Sequence, residues 1–117
     1  MNKNSKIIGL GLTGEVTIDG KYLDPDRSLK VRNHSPDGFS WGYGGSGPSQ
    51  LALALLLEAT DENTAARVYQ NFKWDIIANL DPNKDFEMDA QTYIYNWLYW
   101  YDKPWSSTKF GPIPEGK

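Results

Sequence analysis

The run Leu51-Ala52-Leu53-Ala54-Leu55-Leu56-Leu57 is apolar at every position. It leaves no face for water, so whatever it forms must be enclosed. It is far too short to span a bilayer as a helix. Pro48 just ahead of it suits a first helical turn, where a missing N–H is no loss. The run therefore predicts a helix at the centre of the fold, with Leu53 and Leu56 deep in the core.

A buried helix needs walls on every side, and the rest of the sequence supplies candidates. Residues 6–43 read as strands. Glu15-Val16-Thr17-Ile18, Asp19-Gly20 and Lys21-Tyr22-Leu23 make a hairpin signal, because Asp-Gly takes the positive φ angles of a type I′ turn. Asp24-Pro25-Asp26 reads as a second turn and Ser35-Pro36-Asp37-Gly38 as a third. Between them Ser28-Leu29-Lys30-Val31-Arg32 alternates like a half-buried strand. Phe39-Ser40-Trp41-Gly42-Tyr43 alternates again. Short turns favour antiparallel neighbours.

Residues 44–50 form a glycine-rich connection, and helices are expected over 48–101. Thr60 or Asp61 can cap a second helix, on which Ala65, Val68, Tyr69, Phe72, Ile76 and Leu80 form an apolar stripe. Asp81-Pro82-Asn83 breaks it. Asp89 can cap a third helix, whose face Ala90, Tyr93, Ile94, Trp97, Leu98 and Tyr101 points to the core. Residues 102–117 read as an extended strap. The expected architecture is α+β: an N-terminal antiparallel sheet of three to five strands on about three C-terminal helices. A length of 117 residues favours a single domain, and 39% hydrophobic with 23% charged residues lies in the globular range.

Chemistry is sparse. There is no cysteine, hence no disulfide framework and no thiolate zinc site. His34 is the only histidine and has no second ligand or nucleophile to work with, so no metal, cofactor or catalytic residue is expected. Gly9-Leu10-Gly11-Leu12-Thr13-Gly14 spells G-x-G-x-x-G, but a dinucleotide site needs that turn to open a helix, and a hairpin follows here. The net charge of −3 combines +1 over residues 1–50 with −4 over residues 51–117, which argues against non-specific nucleic-acid binding. The first residues do not read as a signal peptide, and a cytoplasmic location is expected.

Two surfaces stand out. Tyr43, Gly44, Gly45, Ser46, Gly47, Ser49 and Gln50, with Asn33, His34 and Trp41 nearby, are the candidate ligand-binding residues. Successive glycines can turn N–H groups inward into a nest that suits phosphate or carboxylate, and the incoming helix adds its positive end. That reading requires a positive φ at one or more of Gly44, Gly45 and Gly47. Otherwise the glycines merely let the buried helix sit close under the sheet. The second surface is aromatic. Tyr95, Tyr99 and Trp100 fall off the core face of the last helix and are candidates for a protein partner, unless the strap covers them.

Arg32-Asn33-His34-Ser35-Pro36-Asp37-Gly38-Phe39-Ser40-Trp41-Gly42-Tyr43-Gly44-Gly45-Ser46-Gly47-Pro48-Ser49-Gln50-Leu51-Ala52-Leu53-Ala54 and Tyr69-Gln70-Asn71-Phe72-Lys73-Trp74-Asp75 resemble a family of small uncharacterised proteins of bacteria, phages and mobile elements. The resemblance runs from about Val16 to Leu80 and leaves out the aromatic helix. It implies no catalytic residue. It implies an accessory role such as host takeover or counter-defence. The expected function is a non-enzymatic binding protein for a protein partner or a small anionic ligand such as a nucleotide. The alternatives are a small enzyme around His34 and the 44–50 loop, or a self-assembling structural protein.

Overall fold

In the computed structural model the chain is an α+β fold, described over residues 1–101. The strap expected at 102–117 lies outside the described residues, and so does its proposed cover of the aromatic helix. The order is β1 (Lys6–Gly9), β2 (Val16–Ile18), β3 (Lys21–Tyr22), α1 (Asp26–Val31), α2 (Ser46–Ala59), α3 (Glu62–Asp75), a 3₁₀ turn (Ile77–Asn79), β4 (Phe86–Asp89), a π-helical turn (Gln91–Tyr95) and α4 (Asn96–Tyr101).

The sheet is antiparallel in the order β3-β2-β1-β4. Asp19 (φ 53) and Gly20 (φ 82) make the I′-type turn of the first hairpin, pairing Ile18 with Lys21. In β1, Ile7 pairs with Ile18 on one side and Met88 on the other. Gly9 to Gly14 turn the chain from β1 into β2, and no helix follows them.

Two expectations about the sheet fail. Residues 28–32 lie in helix α1 and just beyond it, not in a strand. Five residues are too few to separate a period of 2 from one of 3.6. Local start chemistry decides instead: Asp24 Oδ1 accepts the Asp26 N–H, and the Ser28 hydroxyl donates to the Pro25 carbonyl. Residues 39–43 are irregular. Gly38 and Gly42 take φ of 115° and 90°, so the segment cannot stay extended. It docks through a Gly42 N–H to Ile77 bond, a Trp41 Nε1–H to Lys84 carbonyl bond of 3.1 Å, and the Trp41 ring edge-on to Phe86. The fourth strand comes from beyond the helices instead. In β4, Phe86 and Met88 are buried while Glu87 and Asp89 face out.

The core gathers around α2, buried from Gly47 to Leu57. The sheet contributes Ile7, Val16, Phe86 and Met88, and α3 contributes Ala65, Val68, Tyr69 and Phe72. Asp61 caps α3 by accepting the Thr64 N–H at 2.8 Å, as the sequence suggests. Asp89 accepts the Thr92 N–H where β4 turns into the π segment.

Leu53 and Leu56 are completely buried in this cluster. Truncating either to Ala should cost about 2–5 kcal/mol. Urea unfolding should register this as a lower midpoint at unchanged slope.

Candidate functional site

The two segments singled out in the sequence meet in space. His34, in the turn after α1, shares a 2.6 Å hydrogen bond between Nε2 and the Tyr69 hydroxyl of α3. One turn further along α3, Lys73 is only 5% exposed. Its ammonium sits 4.2 Å from the centroid of the Trp74 ring. The Trp74 ring in turn lies against Gly44: a Cβ added there would fall 2.0 Å from its Cη2.

None of Gly44, Gly45 and Gly47 has a positive φ; among the described residues the glycines that do are Gly14, Gly20, Gly38 and Gly42. The expected inward-turned nest is therefore absent. The three glycines serve close approach instead. A Cβ on Gly45 would strike the Tyr43 ring at 2.4 Å, and one on Gly47 would strike Ser40 Oγ at 1.9 Å. Gly44 and Gly45 are thus a floor on which two aromatic rings lie. Trp74 is 58% and Tyr43 50% exposed above it. Tyr43 is fixed at its far end by a 2.8 Å hydrogen bond between its hydroxyl and that of Ser40.

The other candidate ligand residues divide. Gln50 is fully buried and has no reach to solvent. Its Oε1 accepts the N–H groups of His34 and Ser35, and its Nε2 donates to Ser28 Oγ and the Arg32 carbonyl. It is a clasp that ties α1 and the following turn to α2. Ser49 is buried, with its hydroxyl 3.4 Å from Gln70 Oε1. Trp41 is buried under the sheet edge. Asn33 and Ser46 are exposed. Tyr69, Lys73 and Trp74 were not among the candidates. Lys73 carried a signal, since it stands one turn after Tyr69 and beside Phe72 on the apolar stripe, where a cation needs a reason.

The His34 pKa is pushed below the ordinary histidine value, first by burial and then by the positive charges of Arg32 and Lys73. Neutral His34 suits the hydrogen bond with Tyr69. Among the described residues no group of three His, Asp or Glu is placed to hold a metal ion.

The aromatic helix departs from expectation. The π turn, with its wider i→i+5 spacing, shifts which residues face inward. Ala90 and Ile94 are buried, and Trp97, Leu98 and Tyr101 pack on the core, but Tyr93 is exposed. Tyr95 rotates inward instead, packs on the core and donates its hydroxyl to the Met1 carbonyl at 3.3 Å. Trp97 docks on α3 through Nε1–H to Asp75 Oδ2 at 2.8 Å. Tyr99 and Trp100 are 52% and 44% exposed and meet edge to face at 5.2 Å.

The chain belongs to a family of unknown function (DUF6166), whose sequence profile matches residues 11–99. The match takes in both segments that carry the resemblance and also β4 and most of the aromatic helix, and so reaches beyond the Val16–Leu80 stretch. No curated protein and no solved structure matches the chain. No helix among the described residues is long and apolar enough to cross a membrane.

Two outcomes follow from this geometry. Gln50→Met keeps the volume but strands two amide donors, one hydroxyl and one carbonyl. It should cost about 2–5 kcal/mol by denaturant unfolding. In an NMR titration the single histidine should ionise below about 6.5, and Lys73→Met should raise that value. Because the folded value is the lower one, protonation favours the unfolded chain. The His34 contribution to stability is present above the unfolded pKa and is lost as pH falls toward the folded one.

Proposed function

We propose that the chain is a non-enzymatic binding protein that presents the Tyr43–Trp74 face to its ligand or partner. The observation that supports this is the seating of two exposed rings on a glycine floor. Large exposed aromatics are costly to leave in water, and recognition surfaces use them because they bring rigid area at little entropic cost. Trp74 is held by Gly44 beneath it and by the Lys73 ammonium over its ring, and Tyr43 by Gly45 and Ser40. Both rings are thus ordered before anything binds, which removes part of the cost of association.

An enzymatic reading draws less support. The only histidine spends Nε2 on Tyr69, and no carboxylate acts on it among the causes that set its pKa. A general base normally has a partner that orients it and a nucleophile or substrate proton within reach. The resemblance to phage and mobile-element proteins favours an accessory role, of the host-takeover or counter-defence kind, carried out by binding. Tyr99 and Trp100 make a second aromatic surface near the end of the described residues, and Tyr43 and Trp74 carry the reading.

The test is a double variant, Tyr43→Ser with Trp74→Ala. Its stability should stay within about 1 kcal/mol of the parent, since both side chains are largely exposed. Every ligand found in a thermal-shift screen, and every partner captured from the native host, should be lost with it. A ligand or partner that binds the double variant as well as the parent would place function elsewhere.

A further inference from the structure

The Tyr43–Trp74 face does not end at its two rings. On the Tyr43 side it runs into a cleft of about 240 Å³, lined by Phe39, Ser40, Trp41 and Pro82 and by the loop that carries Leu12. Two contacts join the cleft to Tyr43. The Ser40 hydroxyl is hydrogen-bonded to that of Tyr43 at 2.8 Å, and Gly42 lies so close to Pro82 that a Cβ there would fall 2.5 Å from its nitrogen. The cleft is built before anything enters it. Asp85 Oδ1 accepts the Gly11 N–H at 2.7 Å, the Leu10 carbonyl accepts the Gly14 N–H at 2.7 Å, and Trp41 Nε1–H donates to the Lys84 carbonyl. This well-tied loop nevertheless leaves Leu12 98% exposed. A solvated leucine on the rim of a preformed cleft, beside an exposed tyrosine, suits an apolar anchor from another chain.

On the Trp74 side the face turns basic. Among the described residues no buried side-chain nitrogen or oxygen goes without a hydrogen-bond partner. The Lys73 ammonium makes no hydrogen bond or ion pair among them. It is therefore not sealed in: the stem is covered and the tip reaches water beside the Trp74 ring. Arg32 is exposed and has no ion pair among the described residues either. Both charges bear on His34, which is bonded to Tyr69 one turn before Lys73, and no carboxylate acts there to offset them. Asp75, the acid next to Trp74 in the chain, gives Oδ2 to the Trp97 Nε1–H. In a chain of net charge −3, two uncommitted cations thus gather at one end of an apolar face.

We propose that this face takes an acidic segment of a partner protein, with an apolar side chain of the segment in the cleft beside Leu12 and a carboxylate at Lys73 and Arg32. The assignment rests on the reading of Tyr43 and Trp74 as the binding face, and names the chemistry of its partner. Charge complementarity selects the acid. The cleft selects a protein. Asp81, Lys84 and Asp85 stand at the cleft end, which has no positive excess, so a uniformly charged polyanion fits the face less well than a segment apolar at one end and acidic at the other.

The experiment selects peptides from a random displayed library on the full chain, and measures the enriched sequences as synthetic peptides by fluorescence anisotropy beside single-stranded oligonucleotides. The enriched peptides should pair a large apolar residue with Asp or Glu. Replacing that acid by its amide should weaken binding by about 10- to 100-fold, and Arg32→Gln combined with Lys73→Met should do the same. On that double variant the amide peptide should lose little more, because both changes remove one interaction. Leu12→Ser should weaken binding by about 5- to 30-fold and leave the preference for an acid unchanged. The thermal midpoint checks that Lys73→Met folds. If it does not, Arg32→Glu, at an exposed position, tests the same point, and binding unchanged by it would overturn the basic corner. Enriched peptides without acids, or peptides that bind the double variant as well as the parent, would overturn it too. Indifference to Leu12→Ser would overturn the cleft, and failure to enrich any peptide would overturn the whole assignment. An oligonucleotide that binds more tightly than the best peptide would overturn the choice of a protein. The Tyr43→Ser, Trp74→Ala variant judges the wider face separately: if a partner captured from the native host is lost with it while the enriched peptides carry no acid, only the acidic assignment fails.

Discussion

A helix that is apolar on every side can exist in water only if every side is covered. That demand, made by Leu51 to Leu57, places the other elements. The sheet lies across one side with Ile7, Val16 and Met88, α3 lines another with Ala65, Val68 and Phe72, and the π turn brings in Ala90 and Ile94. Three strands of the sheet come from the N-terminal hairpins. A strand borrowed from beyond α3, β4, widens it on the β1 edge. The strand order β3-β2-β1-β4 thus joins segments far apart in sequence over one helix.

The same helix carries one fully buried polar side chain, and that side chain organises the polar half of the fold. Gln50 uses both lone pairs of its oxygen and both of its N–H groups. A buried amide with all of its bonds made costs little, while its partners would each be stranded without it. In holding Ser28, Arg32, His34 and Ser35 at once, Gln50 fixes α1 and the following turn against α2. That in turn sets His34 beside Tyr69 and brings the charges of Arg32 and Lys73 to bear on one place. The residue that looked most like a ligand-binding amide thus acts one step back, by shaping the ground on which the exposed residues stand.

What was legible in the sequence had a strong local cause. Asp19-Gly20 dictated its turn, Asp61 its cap, and the leucine run its burial. What was not legible depended on partners far along the chain. Nothing in Ser28 to Arg32 could announce that Ser28 would face Gln50, and the strand-like spacing was as good as the helical one. Phe39 to Tyr43 alternates in sequence, yet Trp41 goes in and Tyr43 out, because Gly42 turns the chain between them and no ladder runs beside it. Phe86-Glu87-Met88-Asp89 did carry a strand pattern, but it is short and sits between a proline break and a cap. The inward turn of Tyr95 required a π turn, for which the aromatic run carries no local mark. The candidate site was half legible. Its glycines and Tyr43 were found, but its second ring and its cation lie on a helix whose stripe was read only as core.

The glycines show why such a site is hard to read. A glycine run suggests loop amides turned toward a ligand, yet here the backbone is ordinary and the missing atoms matter more. Gly44 and Gly45 are small so that the Trp74 and Tyr43 rings can come close against them. A methyl group at Gly44 would have to push the Trp74 ring away, and the ring carries the Lys73 ammonium with it. The floor, the ring and the cation therefore form one stacked unit, reached from α2 at its base and from α3 at its top. Such a stack has no large energetic role in the core, because Trp74 is mostly in solvent and Lys73 has no ionic partner among the described residues. A buried charge is retained where its removal would lose something other than stability.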